Sequence, residues 1–355
     1  MTGEARAFLI APGPHWRTPD SVPVMMRRVL YALVPALAAY TWFFGIGIVI
    51  NCAVAIAAAL LTEAVSLKLR RRPVGLFISD YSAVVTAVLL AFALPPLTPW
   101  WITATGSLFA IAFAKHLYGG LGYNVFNPAM AGYVALLVSF PEEMTRWLPP
   151  RIGDLDYAPL SAIASLHFIL SGQLPDGIGW DAVSRATPLD TMKMELGLMR
   201  TFGEIRAGPL FGDFGGRGWE WINNFIALGG IWLFYKGVIR WHIPVAVLGG
   251  LLGTATLFYL FDTATHPSPG FHLFSGGAML CAFFIATDPV SAATTSSGRL
   301  IYGVGIGALI FVMRTWGSYP DGVAFAVLIM NMAVPLIDRY TRPVVYGRSR
   351  RPETK

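Results

Sequence analysis

Residues 48–67 have the sequence IVINCAVAIAAALLTEAVSL, an almost wholly apolar run. A helix that crosses a bilayer needs about 20 consecutive, mainly apolar residues. Comparable runs recur in two groups of five: 29–47, 48–67, 77–95, 99–117 and 127–140, then 220–237, 243–261, 271–287, 299–315 and 321–338. The sequence therefore predicts an all-α integral membrane protein with about ten transmembrane helices.

The composition supports this fold class and excludes several others. Of the 355 residues, 55% are hydrophobic and only 13% are charged, about half the charged share of an ordinary soluble protein. These values exclude a soluble enzyme, a disordered chain and a nucleic-acid binder. The net charge of +6 is explained by the Lys and Arg that cytoplasmic loops of membrane proteins collect.

Charge also predicts the orientation of the chain. Residues 141–219 carry seven basic and ten acidic side chains, a net charge of −3 in a chain of net charge +6, so we expect this segment outside the cytoplasm. Lys115 and His116 end the fourth run and serve as cytoplasmic markers, whereas Arg314, at an outer end, fits the rule less well. Residues 1–28 contain no long apolar core, and we expect no cleaved signal peptide.

Five regions result from this division. They are a cytoplasmic N-terminal segment (1–28), a first transmembrane repeat of five spans (29–140), an extracytoplasmic segment (141–219), a second repeat of five spans (220–338) and a basic cytoplasmic tail (339–355). Five spans per repeat, an odd number, place the two halves in opposite orientations.

Two pairs of segments support the repeat. AFALPP at 91–96 corresponds to FIATDP at 284–289, and GGLGYNVFNPA at 119–129 corresponds loosely to GSYPDGVAFA at 317–326. Inverted repeats often frame a site at mid-membrane depth that is built from interrupted helices. The Gly-, Pro- and Asn-rich segments 119–128 and 317–322 are candidates for such interruptions, and ordinary loops between spans fit the same pattern.

A hydroxyl group in the segment 141–219 is a candidate attachment site. Thr187 stands in the sequence Ser184-Arg-Ala-Thr-Pro188, where small neighbours leave its hydroxyl open to a bulky phosphoryl donor. An exposed turn would have the same composition. The motif lies in the one large segment expected outside the membrane, which favours the attachment hypothesis.

Several motifs resemble a known family over nearly the whole chain. They are Ser184–Pro188, the sequence YNVFNPAM at 123–130, and the run GGAMLCAFFIATDPVSAATT at 276–295. The chain resembles the RnfD family of membrane proteins from the Rnf ion-translocating electron-transport complex. That family is related to the NqrB family of the sodium-pumping NADH:quinone oxidoreductase.

The resemblance implies a covalent flavin. Thr187 would carry FMN through a phosphoester, attached outside the cytoplasm by a separate flavin transferase. Asp181 and Ser184 would be positions at which the transferase recognises the chain, and Ala186 belongs to the same cofactor-binding motif. The family often has Gly where this chain has Arg185, a difference that concerns only the local geometry of attachment.

The resemblance also implies a non-covalent riboflavin among the helices. Its polar contacts map onto Asn124 and Asn127, whose amides can both donate to and accept from a flavin ring. Residues three apart share one face if the segment is helical. An interhelical hydrogen bond is the alternative role for such an Asn.

The function implied is that of a redox subunit in the bacterial inner membrane, with both termini in the cytoplasm. The complex would couple electron transfer between NADH and ferredoxin to translocation of Na+ or H+. The subunit would not be active alone, because its only cysteines, Cys52 and Cys281, offer no set of ligands for an iron–sulfur cluster. Iron–sulfur and second flavin subunits would supply the other centres, and we predict no catalytic side chain and no metal site in this chain.

Two alternatives fit the same hydropathy. A passive channel or solute transporter can also be built from two five-helix repeats, and a scaffold subunit without flavin would contain the same spans. Among other polar residues, Asp288 is interpreted as ending a helix rather than binding a cation, and Asp80 fits an N-terminal cap as well as a functional site. Five tryptophans near span ends are interpreted as interfacial anchors: Trp42, Trp100, Trp101, Trp219 and Trp221.

Overall fold

A computed structural model describes residues 21–152, 160–174 and 179–343, except for the side chains of residues 181 and 182. In these ranges the chain is helical and contains no β-strand, apart from an isolated bridge between Phe211 and Gly216. The α-helices are α1 (Val22–Phe44), α2 (Gly47–Leu69), α3 (Val74–Ile78), α4 (Ser82–Ala93), α5 (Trp100–Leu108), α6 (Pro128–Ser139), α7 (Pro141–Thr145), α8 (Ala162–Ser171), α9 (Trp180–Val183), α10 (Pro188–Gly197), α11 (Phe202–Arg206), α12 (Trp219–Tyr235), α13 (His242–Phe261), α14 (Pro269–Phe274), α15 (Ala278–Leu280), α16 (Ser296–Trp316) and α17 (Val323–Thr341).

Five of these helices are long and apolar enough to cross a membrane: α1, α2, α13, α16 and α17. They coincide with five of the predicted runs and confirm the all-α membrane class. The other runs contain shorter helices, such as the 12 residues of α4 and the 12 of α6. The count of ten spans stays a prediction.

Two of the runs contain π-helical turns. The helix α5 continues as a π-helix over Phe109–His116, and α15 continues as a second π-helix over Cys281–Ile285. Such turns often mark functional sites. The run 271–287 is also interrupted before α15, where Gly276 has a φ of +66°, a conformation that favours glycine.

Both segments proposed as interruptions are non-helical. Residues 119–127 connect the first π-helix to α6, with positive φ at Gly119, Gly120 and Gly122. These three glycines explain the break, because each adopts a backbone conformation that a side chain would disfavour. Residues 317–322 form the corresponding connection between α16 and α17.

Glycines allow close helix packing. A Cβ at Gly307 would overlap backbone atoms of α13, and one at Gly229 in α12 would overlap the carbonyl oxygen of Ala32 in α1. Small residues of this kind let helical backbones approach in membrane proteins. The contact of α1 with α12, and that of α6 with α17, join the two halves.

The described part of 141–219 forms short helices that pack at one end of the long helices. Leu189 and Met192 of α10 are buried against the apolar residues Phe202, Ile205, Phe211 and Phe271. Because Phe271 belongs to α14, this small core anchors α10 to the second half of the chain. It thereby places the N-terminus of α10, and with it Thr187, beside the membrane helices.

Candidate functional site

Thr187 is the N-cap residue of α10 and is half-buried. Its Oγ1 accepts a hydrogen bond from the backbone N–H of Asp190 at 3.2 Å and donates one to Asp190 Oδ2 at 2.6 Å. The backbone N–H of Thr187 donates to the same carboxylate at 3.2 Å. This reciprocal capping box starts the helix and fixes the orientation of the hydroxyl.

A first cavity, which we call the outer cavity, begins at this hydroxyl. It measures about 110 Å³, and Thr187 and Asp190 line it together with residues from both halves of the chain. Aromatic side chains form much of its wall: Tyr40, Phe92, Tyr133, Trp147, Trp219 and Tyr319. The outer cavity is thus a largely apolar space with a hydroxyl and carboxylates in its wall.

Trp219 belongs to this aromatic wall, and its interpretation as an interfacial anchor was wrong. Its side chain is only 6% exposed. The ring centroid lies 5.2 Å from that of Trp147 and 6.0 Å from that of Tyr40. These distances are typical of aromatic packing. The other four tryptophans interpreted as anchors, Trp42, Trp100, Trp101 and Trp221, are exposed.

A second carboxylate, that of Asp321, also lines the outer cavity. Its Oδ1 accepts from the Nε and Nη2 of Arg314 at 3.2 and 3.1 Å, and its Oδ2 accepts from the N–H of Gly277 at 2.7 Å. Arg314 also donates to the carbonyl oxygens of His272 and Ser275. Arg314 is therefore a buried structural cation, which explains why it departs from the topology rule.

The other motif residues near Thr187 have distinct environments. Ala186 and Arg185 are exposed, and the N–H of Arg185 donates to the carbonyl oxygen of Trp147 at 2.9 Å. Ser184 is half-buried, and its Oγ donates to the carbonyl oxygen of Trp180 at 2.9 Å. The side chain of Asp181 lies outside the described residues. The motif is an extended, accessible segment that leads to the Thr187 hydroxyl.

Burial affects the acidity of Asp190. Burial raises the pKa of this carboxyl, and the negative charge of Asp321 acts in the same direction. Hydrogen bonds from Thr187 and the charge of Lys193 oppose the shift. The rise follows because removal from water penalises the charged form.

A second and larger cavity, which we call the inner cavity, contains the other predicted site residues. It measures about 380 Å³, and both Asn124 and Asn127 line it. The carboxylate of Asp288 lies in the same wall and accepts from Asn124 Nδ2 at 3.4 Å and Ser291 Oγ at 2.8 Å. Most of the remaining wall is apolar, with side chains from α1, α4, α12 and the second π-helix.

The two asparagines meet at this cavity for a different reason from the one predicted. The segment from Asn124 to Asn127 is not helical, so a shared helical face does not bring them together. Asn127 is the N-cap of α6, where its Oδ1 accepts from Met130 N–H at 3.1 Å and its Nδ2 donates to the carbonyl oxygen of Ile285 at 3.1 Å. Each of these groups retains capacity for one more hydrogen bond.

Asn331 connects the two halves at this point. Its Oδ1 accepts from the N–H of Asn127 at 3.2 Å, and its Nδ2 donates to the carbonyl oxygen of Ser291 and to the hydroxyl of Tyr302. Asp80 lies one residue before the N-cap of α4, which is Tyr81, and its Oδ1 accepts from Ser82 N–H at 2.7 Å.

Lys115 also lines the inner cavity, and its use as a cytoplasmic marker overlooked this burial. The side chains of Lys115 and Glu63 are only 3% and 2% exposed. Lys115 Nζ donates to both carboxylate oxygens of Glu63 at 2.8 Å and to Ser82 Oγ at 2.8 Å. The sequence prediction did not include this pair, although the ionisable Glu63 within an apolar run is by itself a signal of a functional or structural site.

The inner and outer cavities adjoin each other along α6. Asn127, Pro128 and Ala129 line the inner cavity, whereas Met130 and Tyr133 line the outer one. The second π-helix shows the same change, from Phe284 at the inner cavity to Ile285 at the outer one. The residues that line the two cavities are thus neighbours in sequence both at the start of α6 and in the second π-helix.

The residues that line the inner cavity fit a flavin. The inner cavity falls within the range of about 300–1,000 Å³ typical of ligand pockets, which are mainly apolar with a few polar groups. Asn124, Asn127 and Asp288 supply donors and acceptors for the polar edge of an isoalloxazine ring. The outer cavity, about 110 Å³, lies below that range. Thr187, whose hydroxyl would hold the phosphate, lines it together with aromatic side chains of the kind that pack against a flat ring.

These features define a helical integral membrane protein with two adjoining cavities between its halves. Residues 9–347 match the NQR2, RnfD, RnfE family, and the chain belongs to that family. It is 50% identical, over 97% of its length and 99% of the relative, to the D subunit of the ion-translocating oxidoreductase complex of Aliivibrio salmonicida. It is also 52% identical to the corresponding protein of Vibrio cholerae serotype O1 (96% of this chain, 99% of the relative) and 50% identical to that of Alcanivorax borkumensis (96% and 97%).

Proposed function

We propose that this chain is the D subunit of an ion-translocating oxidoreductase complex and holds two flavins. Thr187 carries FMN through a phosphoester at the outer cavity, and the inner cavity binds riboflavin non-covalently. The adjoining position of the two cavities along α6 is the observation that carries the proposal. Redox groups held in both would be separated by only a few side chains.

The flavins supply reversible electron transfer, and the protein positions them and sets their environment. Thr187 provides the oxygen of the covalent link, and the aromatic wall excludes water from the outer cavity. Asn124 and Asn127 orient a ring by hydrogen bonds, while Lys115 places a buried positive charge at the inner cavity. A charge near the ring is one of the means by which a protein adjusts flavin chemistry.

The complex as a whole would transfer electrons between NADH and ferredoxin and move Na+ or H+. Partner subunits would supply iron–sulfur centres and a further flavin, and a flavin transferase would attach FMN to Thr187. The names of the relatives support the assembly into an oxidoreductase complex.

The proposed topology is ten spans in two inverted repeats, in the bacterial inner membrane, with residues 141–219 outside the cytoplasm. The packing supports a repeat, because the second helix of each half contacts elements that follow it. Thus α2 packs on α4 and α5, and α13 packs on α14 and α16. The first helices of the halves, α1 and α12, also contact each other.

Fluorescence on a denaturing gel tests the covalent site. The chain is produced with the flavin transferase, and the band is viewed under ultraviolet light. Thr187→Ala should abolish the fluorescence and the added FMN mass of its peptide while the protein remains in the membrane. Thr201→Ala is the matched control, because Thr201 caps α11 in the same way and should leave the fluorescence unchanged.

The inner site is tested by flavin that is released on denaturation. Removal of one hydrogen bond, about 1 kcal/mol, should weaken retention of riboflavin about fivefold in Asn124→Ala. Asn51→Ala is the control, because Asn51 is another buried amide that donates to a backbone carbonyl, that of Pro96, at 3.0 Å. A matured protein that contains no flavin would refute the proposal and favour the channel alternative.

A further inference from the structure

The carboxylate of Asp190 holds the one atom that must react if Thr187 is modified. Thr187 Oγ1 donates to Asp190 Oδ2 at 2.6 Å, within the range of about 2.5–2.7 Å found when a hydroxyl donates to an ionised acceptor. Both residues line the outer cavity. The hydroxyl proton already points at a group that can accept it.

The second hydroxyl of the motif provides an internal comparison. Ser184 Oγ, three residues before Thr187, donates to the backbone carbonyl of Trp180. A carbonyl oxygen accepts a hydrogen bond but cannot take the proton away, whereas a carboxylate can do both. The environments of these two hydroxyls therefore differ in the property that activates an oxygen nucleophile.

Helix capping alone does not account for the position of Asp190. The chain has a second capping box at Thr201 and Glu204, where Glu204 is exposed. Asp190 is instead half-buried beside the cavity, and its burial raises the pKa of the carboxyl. A carboxylate with a raised pKa is a stronger base than one in water.

We propose that Asp190 is the general base that takes the Thr187 hydroxyl proton when flavin phosphate is attached. This inference rests on the proposed covalent FMN. It adds a catalytic residue supplied by the acceptor chain itself rather than by the transferase. It also gives a chemical reason for attachment at Thr187 rather than at Ser184.

Attachment forms one phosphorus–oxygen bond and breaks another. The donor is a flavin phosphoanhydride, and Thr187 Oγ1 forms a new bond to its flavin-side phosphorus. The anhydride P–O bond breaks and its electron pair leaves with the second phosphate. The proton of Oγ1 moves to Asp190 Oδ2, so a neutral carboxylic acid rather than a carboxylate then faces the phosphodiester. No electron is gained or lost by the flavin.

The rate of attachment tests the proposal. Membranes that contain the full chain are mixed with flavin transferase and flavin adenine dinucleotide, and gel fluorescence and the mass of the Thr187 peptide are followed with time. Asp190→Asn keeps the shape and the ability to cap but lacks the basic oxygen. Loss of a general base typically slows a reaction about 10²–10⁴-fold, so we expect at least a tenfold slower attachment.

Glu204→Gln is the matched control, since it makes the same chemical change in the other capping box and should leave the rate unchanged. Attachment at the wild-type rate in Asp190→Asn would overturn the proposal. If that variant does not accumulate in the membrane, Asp190→Glu is compared with Asp190→Gln at equal protein content. The Glu variant should react faster, and equal rates would overturn the base role.

The same experiment separates the role of Asp190 from the proposed covalent site. If wild-type chain gains no FMN mass, or Thr187→Ala gains as much as wild type, the covalent site itself is wrong. If wild type is modified at Thr187 and Asp190→Asn is modified equally fast, only the role of Asp190 fails.

Discussion

The buried pair of Lys115 and Glu63 offers a sharp test of how this membrane protein is stabilised. The Lys115 ammonium group makes three hydrogen bonds of 2.8 Å, two to Glu63 and one to Ser82 Oγ. Lys115→Met keeps the length and packing of the side chain but removes the charge. Glu63 then remains as a buried carboxylate that has lost its main counter-ion.

Loss of one partner of a buried ion pair costs about 3–5 kcal/mol, because the remaining charge is desolvated without compensation. We expect Lys115→Met to lower the free energy of unfolding by this amount. Replacement of both partners removes the unpaired charge, and exchange of a buried pair for uncharged side chains is often close to neutral. Lys115→Met with Glu63→Gln should therefore recover at least about 2 kcal/mol of the loss.

The assay is reversible unfolding in mixed micelles as sodium dodecyl sulfate is increased, followed by tryptophan fluorescence. Arg200→Met is the matched control, because Arg200 pairs with Glu195 at 2.7 Å on the protein surface, where such pairs contribute about 0–1 kcal/mol. A loss below about 1 kcal/mol for Lys115→Met, or a double variant no more stable than the single one, would refute this account of the pair.

Three further predictions concern other parts of the molecule. Gly250→Ala should lower the free energy of unfolding by about 1–3 kcal/mol, because its Cβ would overlap the backbone of α16. Gly249 faces open space, so Gly249→Ala should be neutral or stabilising by up to about 1 kcal/mol. Burial raises the pKa of Asp190, so its contribution to the free energy of unfolding should fall as the pH rises from the ordinary pKa of a carboxyl to the raised one. Asp190→Asn should flatten that part of the curve of stability against pH. An unchanged curve would contradict the pKa shift. Arg314→Lys should lower the free energy of unfolding by about 1–3 kcal/mol in the same assay, because an ammonium group cannot reproduce the guanidinium contacts to Asp321 and two backbone carbonyls. Full stability in that variant would show that these guanidinium contacts are dispensable.

Local sequence patterns identified the features whose causes are local. The apolar run 48–67 predicted α2, because hydropathy over about 20 residues decides whether a helix enters a bilayer. The glycine-rich segment 119–122 predicted a helix break. The structure confirms it, with positive φ at Gly119, Gly120 and Gly122. The motif that ends at Thr187 indicated an accessible hydroxyl, and the structure shows it at the start of α10.

Contacts between distant residues were beyond the reach of such patterns. Lys115 and Glu63 are 52 residues apart, and Lys115 alone is indistinguishable from an exposed basic residue at a span end. Trp219 likewise has the sequence context of an interfacial anchor, yet it packs on Trp147 and Tyr40. Burial of a residue at the end of a span depends on what covers it.

The sequence by itself therefore determined that the chain is a helical membrane protein of this family, with Thr187 as the candidate for attachment. Only the tertiary structure decided that Asn127 and Asn331, 204 residues apart, join the halves beside a cavity. Only the tertiary structure, too, placed both Asp190 and Asp321 in the wall of another cavity. Apolarity and capping act over one or two helical turns, whereas a cavity exists only where several packed helices leave space between them.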